Sequence, residues 1–119
     1  MKARTLFFIL ALLSVNVFSQ ISIKYSGAKK SYYHPGDTAR ITILMRLNPK
    51  SCLEGMKKTY IYYSGCEDIL NEQWAKRPNY IFQKEVLLRI KAKQNKARMT
   101  IVRETDKESL FRQETLTIK

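Results

Sequence analysis

The sequence predicts an all-β protein, an antiparallel β-sandwich of six strands with one short helix. Three observations carry that expectation. From Thr38 to Leu47 apolar and polar residues alternate: Ile41, Ile43, Met45 and Leu47 fall on one face, Arg40, Thr42 and Arg46 on the other, with Leu44 the exception. A period of two over eight residues marks a strand with one face in a core and one in water. The same period returns between Tyr80 and Ala92, where Phe82, Val86, Leu88, Ile90 and Ala92 share one face and Gln83, Glu85, Arg89 and Lys91 the other. Strand-like segments recur at spacings of roughly 10 to 20 residues with turn residues between them, the rhythm of an all-β domain. A sheet with one apolar face must cover it, and a second sheet is the usual cover. A small closed barrel would satisfy the same pattern.

The first residues read as an export signal. Lys2 and Arg4 precede an apolar run from Leu6 to Leu13, and Val17 and Ser19 stand where a signal peptidase reads. The run is shorter than the roughly 20 residues a membrane-spanning helix needs. Cleavage is expected between Ser19 and Gln20, which makes residues 1–19 a signal peptide and residues 20–119 one domain with one core. No cysteine lies at that junction for lipoprotein attachment. The expected location is the periplasm or the medium.

The first strand is Ile21 to Tyr25, alternating apolar and polar and suited to a sheet edge. Tyr32-Tyr33-His34-Pro35-Gly36-Asp37 follows a polar connection. Pro35 fixes φ and Gly36 tolerates φ above zero, so the pair reads as the centre of a type II turn into the second strand, Thr38 to Leu47. Asn48-Pro49 ends that strand, and Lys50 to Lys58 has loop composition. Thr59 to Tyr63 is β-branched and aromatic, as a strand is. Ser64 and Glu67 then have capping-box spacing, Lys76 and Arg77 sit before Pro78, and Leu70 and Trp74 are four apart. Those features predict a helix over about Gly65 to Lys76, docked by Trp74. Lys84 interrupts the apolar face of the next strand, where a lysine can snorkel to water. Lys93 to Lys96 reads as a polar turn. Ala97 to Thr105, with Met99 and Ile101 inward, and Leu110 to Ile118 complete the fold as a hairpin.

Cys52 and Cys66 are the only cysteines, and in an oxidising compartment a disulfide is expected between them. Closing that loop would stabilise the fold by about 3 kcal/mol on the chain-entropy model. It also requires the chain to double back between the two residues. Two cysteines and the single His34 fall short of a closed four-ligand metal site. No metal or cofactor is expected.

The Tyr-His-Pro-Gly-Asp-Thr approach to the second strand and the final hairpin ending Leu116-Thr117-Ile118 resemble bacterial extracytoplasmic immunoglobulin-like domains. The resemblance implies an immunoglobulin-like β-sandwich of about six to seven strands. It also implies a binding or spacer role, with no catalytic residue to carry over. Antibody-type domains staple their second and sixth strands; neither Thr38–Leu47 nor Ala97–Thr105 contains a cysteine.

The chemistry points the same way. His34 is the only histidine, beside a turn with Asp37 three residues on, and no nucleophile elbow or cysteine–histidine signature accompanies it. Glu67, Asp68 and Glu72 are explained by helix capping and solvation. A non-catalytic protein is expected. Seven tyrosines exceed what one core of this size needs, so one member of each pair Tyr32–Tyr33 and Tyr62–Tyr63 should face outward. Exposed tyrosines beside cations suit sugar and protein surfaces. Without Lys2 and Arg4 the chain still has 20 basic against 10 acidic residues. Such a balance favours anionic partners. Arg89, Lys91, Lys93, Lys96 and Arg98 should gather about one hairpin at one end of one sheet. With Tyr32, Tyr33 and Tyr62 they form the candidate binding set, for an acidic surface glycan or an envelope protein. A nucleic-acid role would need a binding motif or aromatic platform within the patch. The alternatives are an assembly subunit that pairs through a sheet edge and an inhibitor of a secreted enzyme.

Overall fold

The computed structural model describes residues 19–91 and 94–119. These form β1 (Gln20–Tyr25), β2 (Thr38–Arg46), one helical turn α1 (Pro49–Cys52), β3 (Thr59–Ser64), β4 (Cys66–Asp68), β5 (Ala75–Arg77), β6 (Ile81–Ile90), β7 (Lys96–Glu104) and β8 (Ser109–Thr117). One antiparallel sheet runs β1-β2-β6, with β4 and β5 end to end along the far edge of β6; the other is β3-β7-β8. That is the strand order of a constant-type immunoglobulin sandwich, with β4 and β5 sharing the fourth strand position. The fold is an immunoglobulin-like β-sandwich of two separate sheets, not a closed barrel. The expected signal peptide lies outside the described residues, apart from Ser19.

Register explains the core. Ile41 lies opposite Tyr25 and Val86, and Met45 opposite Ile21 and Phe82, so inward residues form rows across the larger sheet. They meet Ala97, Met99 and Ile101 of β7 and Leu116 and Ile118 at the end of β8, all buried. Each of the larger side chains among them contributes about 1.5–3 kcal/mol on burial, and together they hold the sheets face to face. The Pro35-Gly36 turn is type II as expected: Asp37 N donates to His34 O at 3.0 Å, and Gly36 has φ +94°.

The segment 65–77 departs from the expected helix. Gly65 takes φ +73°, and Cys66 to Asp68 then pair with Ile90 to Leu88. Glu67 thereby meets Arg89 across the strands and does not cap a helix. One Asp68 carboxylate oxygen accepts Leu70 N at 3.0 Å and Leu87 N at 3.2 Å, so this side chain ends β4 by satisfying backbone donors. Asn71 at φ +54° continues the interruption until β5 resumes the edge. Lys84 does not snorkel freely: it reaches the Glu72 carbonyl and the nearly buried Asp68 carboxylate, pinning this irregular stretch to β6. Trp74 still packs against the core, but from the irregular segment just before β5 and not from a helix. The helix that does form lies at 49–52, where the Asn48 side chain accepts Ser51 N at 2.8 Å and Pro49 occupies the first helical position.

Two further expectations fail for topological reasons. β6 and β7 are not a hairpin, because β6 pairs with β2 on one edge and β4–β5 on the other, while β7 pairs with β3 and β8. The cysteines are both free and buried. Cys52 adjoins Ser51, whose carbonyl accepts Arg103, whereas the Cys66 thiol lies against the Arg98 carbonyl at 3.5 Å. Five residues of β7 separate these positions, about 16 Å at strand rise. β3 carries the chain from one end of the sandwich to the other without doubling back, which puts the thiols beyond disulfide reach.

The Cys52 end is closed by Arg103. Its side chain is fully buried, on the inward face in phase with Ala97, Met99 and Ile101. The guanidinium donates to Ser51 O at 2.8 Å, Gly55 O at 2.7 Å and Thr59 Oγ1 at 2.8 Å, and approaches the Glu108 carboxylate at 3.4 Å. Ser51 Oγ also donates to that carboxylate. One arginine thus ties α1, the start of β3 and the β7–β8 turn together.

Candidate functional site

At the opposite end, several backbone bonds bring distant segments together. Gly36 N donates to Ile90 O at 2.7 Å, Lys91 N to Gly65 O at 3.0 Å, and Ile118 N to Asn95 O at 2.9 Å. Tyr33 N donates to Thr117 O and Lys119 N to Tyr33 O, at 2.8 and 2.9 Å. The loop 26–37, the segment after β6 and the end of β8 therefore form one surface.

A cleft of about 460 Å³ opens there, lined by Lys29, Lys30, Ser31, Tyr32, His34 and Asp37. Tyr32 and His34 meet edge to face, with ring centroids 5.5 Å apart. Lys119 Nζ stands 4.9 Å from the Tyr32 ring centroid, and His34 Nδ1 lies 2.8 Å from Lys119 O. Lys29 bridges to Glu114 at 3.0 Å, and Lys30 lies 4.0 Å from Asp37. Asp37 also accepts His34 N at 2.9 Å, so the relation between these two residues runs through the backbone and not the imidazole. The lysines give this surface an excess of positive charge over the single carboxylate in the cleft wall, Asp37, and the Tyr32 ring holds one of them, Lys119, by its face.

The expected site residues separate into groups. Tyr32 is exposed in the cleft wall, but Tyr33 is only 2 % exposed. Its bridge beside Ile118 turns the ring into the core, and alternation leaves Tyr32 outward. Tyr33 is therefore a core residue and not part of a binding surface. Arg89 lies on the outer face of the larger sheet, bound to Glu67 at 2.6 Å. Hydrogen bonding from its guanidinium holds the Glu67 carboxyl below its ordinary range. Lys91 is exposed at the cleft end; Lys93 lies outside the described residues. Lys96 and Arg98 are exposed on the outer face of the smaller sheet, opposite Thr117 and Thr115. The basic residues thus share an end of the sandwich, but across both sheets instead of on one hairpin. Tyr62, 59 % exposed, lies on the same outer face as Arg98.

Cations that sequence reasoning passed over complete this end: Lys29, Lys30 and Lys119. For Lys29 and Lys30 the signal was proximity in sequence to Tyr32; Lys119 had none, because it reaches this end only through the backbone bond of its N–H to Tyr33 O. All ten carboxylate side chains of the sequence fall among the described residues, yet Lys91, Lys96, Arg98 and Lys119 have none within ion-pair distance. Among the described residues no three histidine, cysteine or acidic side chains converge as metal ligands would, and no helix is long and apolar enough to cross a membrane. No family model, curated protein or solved structure matches this chain.

Proposed function

We propose that this chain is an exported, non-catalytic binding domain that holds an anionic polymer at the Lys91–Lys119 end. The observation that carries the reading is the set Lys91, Lys96, Arg98 and Lys119, cations without carboxylate partners beside the Tyr32–His34 cleft. Unpaired cations on a surface are kept in water unless a ligand supplies the counter-charge, and a polyanion at this end would supply it to four of them at once. Lys96 and Arg98 stand on β7 and Lys91 and Lys119 just beyond β6 and β8, so the packed core fixes their backbone positions and the ordering cost of binding falls on their side chains. An export signal at residues 1–19 would deliver the domain to surfaces rich in acidic glycans.

The test is binding of the purified protein to polygalacturonate at low and high salt. Reversing Lys91, Lys96 and Lys119 to Glu alters contacts worth about 1 kcal/mol each at 4 Å in water, so affinity should fall about tenfold or more. The wild-type affinity should also fall as salt rises. Binding that ignores both salt and the three reversals would refute the reading.

A further inference from the structure

The outer face of the β3-β7-β8 sheet carries an aromatic patch that the core does not use. Register places Tyr60, Val102 and Phe111 in one row, Tyr62, Thr100 and Gln113 in the next, and Ser64, Arg98 and Thr115 in the third. Tyr60, Tyr62 and Phe111 are 52, 59 and 66 % exposed. The Tyr60 and Tyr62 rings lie within 29° of parallel with centroids 6.5 Å apart. Their hydroxyls have no hydrogen-bond partner among the described residues. Along β7 the outward series continues Lys96, Arg98, Thr100, Val102, so the aromatic rows run directly into the basic end.

We infer that this face is a stacking surface for a polysaccharide chain, the same polyanion that the basic end holds; the inference rests on that reading and specifies its ligand as a sugar polymer. Shape favours a single chain over a protein partner. Three strands about 4.8 Å apart and five residues long form a strip about 14 Å by about 17 Å, with the exposed rings in two adjacent rows. A single sugar chain needs no more than such a strip. Composition favours sugar over a polyphosphate, and over a single-stranded nucleic acid, whose bases could stack on the same rings but whose phosphates would need cations along all three rows. Within the three rows Arg98 is the only charge, and the other polar groups are neutral: two phenols, Ser64, Thr100, Gln113 and Thr115. Neutral donors and acceptors between ring faces match hydroxyl groups on the edge of a pyranose and C–H groups on its face. A chain stacked on Tyr60, Tyr62 and Phe111 would bring its acidic groups to Arg98 and Lys96.

The experiment compares two variants of the full protein, Tyr60→Thr/Tyr62→Thr/Phe111→Thr and Lys91→Glu/Lys96→Glu/Lys119→Glu, with polygalacturonate, long-chain polyphosphate and oligothymidylate as probes. Threonine keeps the strand preference of the face, and unchanged far-ultraviolet dichroism and melting confirm the fold. The aromatic variant should lose about tenfold or more in polygalacturonate affinity, a loss that persists at high salt, while polyphosphate binding is unchanged. Equal loss for all three probes, or preference of the wild type for oligothymidylate, would overturn the sugar assignment. No loss for polygalacturonate would overturn the stacking surface and leave the basic end to be judged by the charge variant. Concentration-dependent dimerisation abolished by the aromatic variant would show the face to be a protein interface and overturn the inference.

Discussion

Replacing Arg103 by Met tests what closes the far end of the sandwich. The side chain is fully buried and donates to three partners fixed on other elements, Ser51 O, Gly55 O and Thr59 Oγ1. Methionine fills similar volume but leaves those acceptors without their donor. It also leaves the Glu108 carboxylate, 9 % exposed, with Ser51 Oγ as its remaining partner and one oxygen that already has none. Each buried acceptor left unsatisfied costs about 1–3 kcal/mol, and removing one member of a buried ion pair about 3–5 kcal/mol. These costs overlap, so about 3–5 kcal/mol is expected in all. That is a large part of the 5–15 kcal/mol typical of a domain. Urea unfolding read by tryptophan fluorescence measures it, with Trp74 as the one reporter. The double variant Arg103→Met/Glu108→Leu replaces both charges by apolar groups and should recover at least about 1 kcal/mol relative to Arg103→Met. A loss below about 1 kcal/mol for Arg103→Met, or strict additivity of the two substitutions, would refute the claim that this network holds α1 and the β7–β8 turn in place.

Two further outcomes are expected. Burial, then the hydrogen-bonded Glu114 carboxylate, raises the Tyr25 phenol well above its ordinary range; burial, then Asp68, does the same for Tyr63. The folded state thus keeps protons that the unfolded chain releases above about pH 10. Their contribution to stability is complete below that pH and is lost as pH rises beyond it. A phenolate absorbance titration should therefore show at least two late-titrating tyrosines coincident with alkaline unfolding, with Tyr25→Phe and Tyr63→Phe each removing one; all seven titrating together in folded protein would contradict this. Both thiols should be unreactive to Ellman's reagent in the native state and react on unfolding without reductant, because both are buried and burial also pushes the Cys66 thiol up. An oxidised intact mass would show the sulfurs to be joined and the fold at β3 to be different.

Much of the fold was legible because its long strands have one apolar face. β2, β6 and β7 follow the period of two closely enough that their inward residues could be named in advance. The exception inside β7 is instructive. Arg103 falls on the inward phase, and an arginine there looks like a strand end reaching water, since nothing local says that Ser51, Gly55 and Thr59 will surround it. The false helix over 65–76 has the complementary cause. Ser64, Glu67, Leu70 and Trp74 have helical spacing, but the edge of β6 offers backbone partners that local spacing cannot reveal. Gly65 and Asp68 were the local signs against it, one at positive φ and the other closing an Asx-type turn.

The candidate site was legible only as a list of residue types, because its geometry depends on which sheet each strand joins. Placing β6 and β7 in one hairpin put all the late cations on one surface; placing them in different sheets sends Arg89 to Glu67 on one outer face and Arg98 to the aromatic rows on the other. The consequence is functional. Arg89 already has its counter-charge, so charge reversal there should disturb Glu67 and the β4 edge more than binding. Arg98 has no carboxylate and lies diagonally across from Tyr62, at the point where the cationic end meets the aromatic face. A ligand that used only the cations would have no reason to discriminate Arg98 from Lys91. One that also lies along β7 must pass Arg98, which makes this single side chain the place where the two halves of the proposed surface are joined.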